Sequence, residues 1–263
     1  MLTLGRGALT GLAKRPSPGA RLAPARFTAP AVRIDPVRAA AYARVCGHEP
    51  ATALPLTYPH VLGFPLAARL MAARAFPLPL LGLVHTSVAI SALAPLTAAD
   101  RPDLSVRTEG LHPHRRGTEV ALVTEAHLDG ELVWQDVSTY LARHRVPGRE
   151  PAESAPPDDG GLPVVARWEL PGDLGRRHAR VSGDYNPIHL YALTARPFGF
   201  PRAIVHGMWS VARCAADRPE ATALTAEFRR PVLLPSTVEY AAADTRFELR
   251  SGPHLHVAGT FSA

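Results

Sequence analysis

Two stretches of this chain carry the residue types that move protons. The first runs through Ser182, Gly183, Asp184, Tyr185, Asn186, Pro187 and Ile188 to His189. The second runs from Gly199 through Phe200 to His206, Gly207 and Met208. Asn186 before Pro187 is a helix start, because Asn accepts from free backbone N–H groups and Pro suits the first turn. Asp184 stands just before that start and His189 just inside it, so both side chains can reach one point. Gly183 gives the turn its freedom, and Ser182 and Asn186 are placed to support it. A carboxylate and an imidazole that share one water can deprotonate it and deliver a proton elsewhere. A helix cap for Asp184 and a satisfied half-buried imidazole for His189 are the bland alternatives, and their joint occurrence with Asn186 and Pro187 weakens both.

His206 and Gly207 mark a second helix start. Gly207 has no side chain to block its N–H, and the helix terminus adds partial positive charge, which suits a carbonyl oxygen that gains charge during reaction. His206 is read as fixing the turn before Gly207. Met208, Val211, Ala212 and Ala215 follow at helical spacing and should be buried. Tyr185 and Tyr191 are read as packing residues. A metal set of Asp184, His189 and His206 is the lesser alternative, and neither metal nor cofactor is expected. Cys46, Cys214 and Ser182 have no activating base nearby in sequence, so covalent catalysis is not expected.

The elements that must position these residues divide in two. Residues 147–161 are rich in Pro, Gly and acid with almost no apolar content, and read as a linker. This places an N-terminal domain at 27–146 and a catalytic domain at 162–263, after a basic arm at 1–26 that lacks Asp and Glu. The halves look related: Ala43 to His48 aligns with Ala179 to Asp184, and Gly63 to Pro65 with Gly199 to Pro201, at one offset. In the first half, helices are expected at Pro36–Cys46 and Pro59–Ala73, then strands near Leu80–Leu93, Leu104–Glu109, Glu119–His127 and Leu132–Ala142, with Asp129 and Gly130 turning a hairpin. In the second half, an opening strand at Pro163–Leu170 precedes helices near Pro187–Ala195 and Gly207–Ala216. Strands follow near Ala223–Arg229, Thr237–Ala243, Arg246–Arg250 and His254–Phe261. His112 to Arg116 reads as an exposed loop. Long antiparallel strands after a central apolar helix make an α+β chain.

Composition narrows the function. With 46% hydrophobic residues the chain of 263 can build a proper core. No apolar run is long enough for a membrane span. Net charge is +6, but aromatics make up only 6% and the arginines are spread, which disfavours nucleic acid. The two cysteines form no metal-ligand pair, and a cytoplasmic protein fits.

Ser182 to His189, followed by Ala195, Gly199, Phe200 and His206 to Met208, resembles the MaoC-like (R)-specific enoyl-CoA hydratase family. The first half, with Leu54 to His60 and Leu132 to Trp134, looks like the degenerate N-terminal hotdog of two-domain (3R)-hydroxyacyl-thioester dehydratases. The resemblance implies a double hotdog: two antiparallel sheets, each wrapped round a central helix and joined edge to edge. It implies an acyl-CoA or acyl carrier protein thioester as substrate, in fatty-acid or polyketide metabolism. Asp184 and His189 would activate water, Asn186 would support them, and the N–H of Gly207 would hold the thioester carbonyl. His48 stands where the first half's acid should be, so one site per chain is expected, with the first half as a substrate wall and Leu62–Met71 and Phe76–Leu83 as candidate tunnel linings. A non-catalytic acyl-thioester binding subunit is the main alternative and a thioesterase the lesser one. Either a monomer or a homodimer is compatible with one chain carrying both hotdogs.

Overall fold

The computed structural model describes residue 22 and residues 24–80, 82–146 and 161–263. The linker, save Gly161, and most of the basic arm lie outside the described residues. Arg26, the arm's last residue, opens the first strand.

The first half is built from β1 (Arg26–Ala29), α1 (Pro36–Cys46), α2 (Tyr58–Ala72), β2 (Leu83–Ala92), β3 (Asp103–His114), β4 (Gly117–Leu128) and β5 (Glu131–Arg143). The second half has β6 (Val164–Leu170), α3 (Leu174–Ser182), α4 (Ala192–Ala195), α5 (Gly207–Ala215), then β7 (Ala223–Phe228), β8 (Ser236–Ala243), β9 (Arg246–Ser251) and β10 (His254–Ser262). Asp35 caps α1 by accepting from the N–H groups of Val37 and Arg38, and Pro36 fills the first turn. His112 to His114 belong to β3, which overturns the loop reading: they pair with Glu119, Thr118 and Gly117 as the long β3–β4 ribbon runs on past the core.

The two sheets, expected to join edge to edge, run on as one. Among the described residues, ten antiparallel strands run in the order β1-β3-β4-β5-β2-β7-β10-β9-β8-β6. The seam is β2 against β7, from Ser87 opposite Glu227 to Ser91 opposite Ala223. Pairing there satisfies two strand edges that would otherwise expose unpaired backbone groups. Residues of both halves enter one hydrophobic cluster. Leu66, Leu70 and Met71 of α2, with Phe76 and Leu78, belong to it at 5% exposure or less. They are core packing, which the sequence favours for most of these two segments over the tunnel lining.

The internal repeat holds at one of its two matches. Gly47 closes α1 at φ 77° and Gly183 closes α3 at φ 81°, both left-handed, which is the helix-ending conformation that glycine adopts without strain. The other match fails. Gly63 to Pro65 lie inside α2, whereas Gly199 to Pro201 form a loop. Gly63 answers a different need, since a Cβ there would lie 2.5 Å from Thr124 Cγ2 where α2 crosses β4.

α1 and α3 pack side by side and join the halves away from the seam. The Arg38 side chain donates from Nε to the Val181 carbonyl at 2.7 Å, and Trp209 Nε1 of α5 donates to the Val45 carbonyl at 2.8 Å.

Candidate active site

α3 delivers the acidic residue. It ends at Ser182, Gly183 turns the chain, and Asp184 follows. The Asp184 N–H donates to Ser182 Oγ at 3.2 Å, and Asp184 Oδ1 accepts from the N–H of Asn186 at 3.0 Å. Asn186 caps a short 3-10 turn over Pro187–His189, its side chain accepting from the Ile188 N–H. The expected single helix at Pro187–Ala195 is therefore two short pieces, this turn and α4, and a second 3-10 turn follows at Arg196–Phe198. Pro197 lacks the N–H to continue α4.

His189 is held from below. Its Nδ1 lies 2.9 Å from the Ile204 carbonyl and must donate to it, which leaves Nε2 as a free lone pair. Burial in the first place, and the neighbouring His206, push its pKa down to about 3, although Asp184 pulls the other way. His189 is thus a neutral base at physiological pH. Its position depends on Gly175 of α3, a residue the sequence reading passed over. A Cβ at Gly175 would stand 1.9 Å from the His189 carbonyl oxygen.

His206 stacks on His189 with ring centroids 3.7 Å apart and planes 24° apart. Its Nε2 donates to the Asp184 carbonyl at 3.0 Å, which ties the two motifs together. The Asp184 carboxylate lies 3.8 Å from the same nitrogen, too far for a hydrogen bond, and burial lowers the His206 pKa. The contact joins a carboxylate to a neutral ring. His178 of α3 adds a third buried imidazole, 4.5 Å from His206 between centroids, with both ring nitrogens unpartnered.

One ligating atom each of Asp184, His189 and His206 lies within 4.8 Å of the others. Two hydrogen bonds of about 2.8 Å meeting at the tetrahedral angle of a water span about 4.6 Å. The set therefore fits a shared water. It fits a metal ion poorly, because His206 Nε2 gives its hydrogen to the Asp184 carbonyl and has no lone pair left to offer.

Gly207 opens α5, and no side chain caps that terminus. The Trp209 and Ser210 N–H groups donate to the His206 carbonyl, which leaves those of Gly207 and Met208 as the ones without an intrahelical partner. Met208, Val211, Ala212 and Ala215 are buried as the spacing requires. The reason for glycine is closer packing than sequence reasoning supposed: a Cβ at Gly207 would lie 2.8 Å from Phe228 Cε1. Tyr185 and Tyr191, read as packing residues, are 36% and 54% exposed, and Arg176 lies over the Tyr191 ring.

Residues of the first half pack behind Gly207, and no local motif announces them. Phe228, under Gly207, contacts His85 of β2, which stacks on Tyr140 of β5 at 4.6 Å between centroids. Two clefts of about 520 and 360 Å³ lie elsewhere, and neither is lined by Asp184, His189, His206 or Gly207.

The chain is similar to known proteins. The MaoC-like domain family matches residues 172–254. Over 216 residues the chain is 36% identical to 3-hydroxyacyl-thioester dehydratase X of Mycobacterium tuberculosis, spanning 80% of this chain and 77% of that protein. The chain belongs to the MaoC-like dehydratase family. The crystal structure of HtdX from the same organism, 32% identical, matches with a TM-score of 0.79 over 90% of this chain and 99% of that one. A MaoC-like dehydratase from Phytophthora capsici, 16% identical, shares the fold at a TM-score of 0.69 over 97% of this chain and 96% of that one. As a MaoC-like dehydratase, the chain has the hotdog-like fold of these relatives. Among the described residues, no helix is long and apolar enough to cross a membrane.

Proposed function

We propose that this protein interconverts (R)-3-hydroxyacyl and trans-2-enoyl thioesters of coenzyme A or an acyl carrier protein, with Asp184 and His189 as its catalytic pair and one site per chain. The observation that carries this reading is the His189 tautomer. With Nδ1 committed to the Ile204 carbonyl, the lone pair stays on Nε2, and a ligating atom of His189 lies within 4.8 Å of one from Asp184, about the span that one water bridges. The name of the Mycobacterium tuberculosis relative supports the substrate class.

In the hydration direction, Asp184 orients the water and His189 Nε2 takes one of its protons as the oxygen bonds to C3. Electrons move from the C2–C3 double bond toward the thioester carbonyl. Its oxygen, held by the Gly207 N–H at the α5 terminus, takes up the charge. The imidazolium, stabilised by Asp184, then returns the proton to C2. One water is consumed and both groups are reset; dehydration is the reverse path. A base with a depressed pKa returns its proton readily, which suits this second half-step. Asn186 and Ser182 hold Asp184 through the turn, Gly183 permits that turn, and His206 locks it to α5.

One chain carries all the proposed catalytic residues, so a monomer or a homodimer can serve. Cys46 and Cys214 are buried free thiols, in keeping with a cytoplasmic protein. The test is hydration of trans-2-enoyl thioesters of graded chain length, offered on coenzyme A and on a carrier protein, followed by loss of the enoyl-thioester absorbance. Turnover yielding the (R)-3-hydroxy product supports the reading. Absence of turnover on both carriers at every length would end it.

A further inference from the structure

Beside the site just described lies a second histidine–carboxylate pair, contributed wholly by the first half. His60, near the start of α2, meets Asp136 of β5 at 2.5 Å from Nδ1 to Oδ2. The Asp136 carboxylate is fully buried, and its other oxygen has no partner. No Lys or Arg is paired with it among the described residues. A buried carboxylate whose one mate is an imidazole is an expensive feature for a structural wall, where an apolar pair of similar volume packs as well or better.

Its surroundings connect it to the catalytic centre. The His60 ring stacks over His85 at 6.2 Å between centroids with planes 10° apart, and His85 in turn touches Phe228, the ring pressed against Gly207. Tyr140, on the far side of His85, feels the charge of both Asp136 and Asp184, and His178 feels His60, His189 and His206. With Nδ1 donating to Asp136, the His60 lone pair sits on Nε2. That atom takes no protein partner, and the side chain is 12% exposed. His85 Nε2 is buried and unpartnered next to it. A plain alkyl chain laid over His60 would strip its Nε2 of solvent and offer no hydrogen bond in return, at a cost.

We propose that His60, oriented by Asp136, is a specificity-determining residue that hydrogen-bonds an oxygen on the acyl chain beyond C3, so that the enzyme selects oxygenated over plain acyl thioesters. This rests on the dehydratase reading of the site and goes beyond it in naming the substrate class. The carboxylate fixes the ring and its tautomer, and Nε2 accepts from a chain hydroxyl. His60 Nε2 finds a mate in a hydroxylated chain and none in a plain one, and that asymmetry generates discrimination.

The experiment uses the full chain and a matched set of trans-2-enoyl pantetheine thioesters. One is unsubstituted and the others carry a single hydroxyl at successive carbons beyond C3. The readout is the ratio of kcat/KM for each hydroxylated substrate to that for the plain one, taken within each protein so that a general loss of folded enzyme cancels. The wild type is expected to prefer one hydroxylated position by about tenfold or more. His60→Phe brings that ratio to within about threefold of unity, and His60→Gln, which keeps an acceptor, restores part of it. Turnover of the whole series with no preference in the wild type, or an unchanged ratio in His60→Phe, overturns this inference while leaving the dehydratase reading intact. No turnover of any member removes both.

Discussion

Lowering the pH from 7 to 5 should destabilise this fold through its buried imidazoles well before its carboxylates titrate. Burial is the leading cause that lowers the pKa of His48 to about 4 and those of His85 and His189 to about 3. In the unfolded chain each returns to about 6.5. Between these values the unfolded state binds more protons than the folded one, so the stabilisation is complete above the unfolded pKa and is lost as the pH falls toward the folded one. From pH 7 to 5 each histidine loses about 2 kcal/mol, and the three together about 5 kcal/mol, with His48 discounted because it is only partly buried. His178 and His206 shift in the same direction and add to the loss. That is a large share of the ~5–15 kcal/mol typical of a domain. Urea unfolding at pH 7, 6 and 5 reads it directly as a falling midpoint. The enzyme that remains folded should keep its kcat across the same range, because His189 stays neutral. A stability change under about 1 kcal/mol over these two pH units would refute the reasoning, as would a limb in kcat near pH 6.5.

Two glycines give sharper local tests. Gly175→Ala drives a Cβ to 1.9 Å from the His189 carbonyl oxygen, backbone against backbone, so a loss of ~3 kcal/mol or more is expected together with a fall in kcat. Thermal melting with parallel rate assays checks both. Gly207→Ala meets only the edge of the Phe228 ring, and ~1–2 kcal/mol is expected. Pairing it with Phe228→Leu should recover the melting temperature, and failure of that pair to recover would show that the crowding lies elsewhere.

The catalytic cluster was legible because it is local in sequence. Asp184, Asn186 and His189 sit on one turn, and capping chemistry alone says where their side chains go. α3 was missed, although the repeat contained it: Ala43 to Gly47 end α1, so the matching Ala179 to Gly183 should end a helix too. Its run of Arg176, Arg177 and Arg180 hid a buried face of Leu174, His178, Ala179 and Val181. Conversely, the Gly63–Gly199 match was spurious, two glycines meeting different needs in different structures. The single sheet could not be read from strand patterns, because the β2–β7 seam joins residues about half the chain apart. For the same reason the wall of His60, His85, Asp136 and Tyr140 carried no signal. His60 and Asp136 are 76 positions apart and meet only through the packing of α2 on the sheet.

The central claim is that Asp184 and His189 share the water that adds across C2 and C3. Asp184→Asn keeps an oxygen for the Asn186 N–H and so should preserve the turn, while removing the charge that orients the water and steadies the imidazolium. The decisive measurement is its kcat on the best enoyl thioester, beside its melting temperature. The account predicts a fall of about 10²–10⁴-fold with melting close to wild type. A variant that melts like the wild type and turns over within about threefold of it would contradict the account.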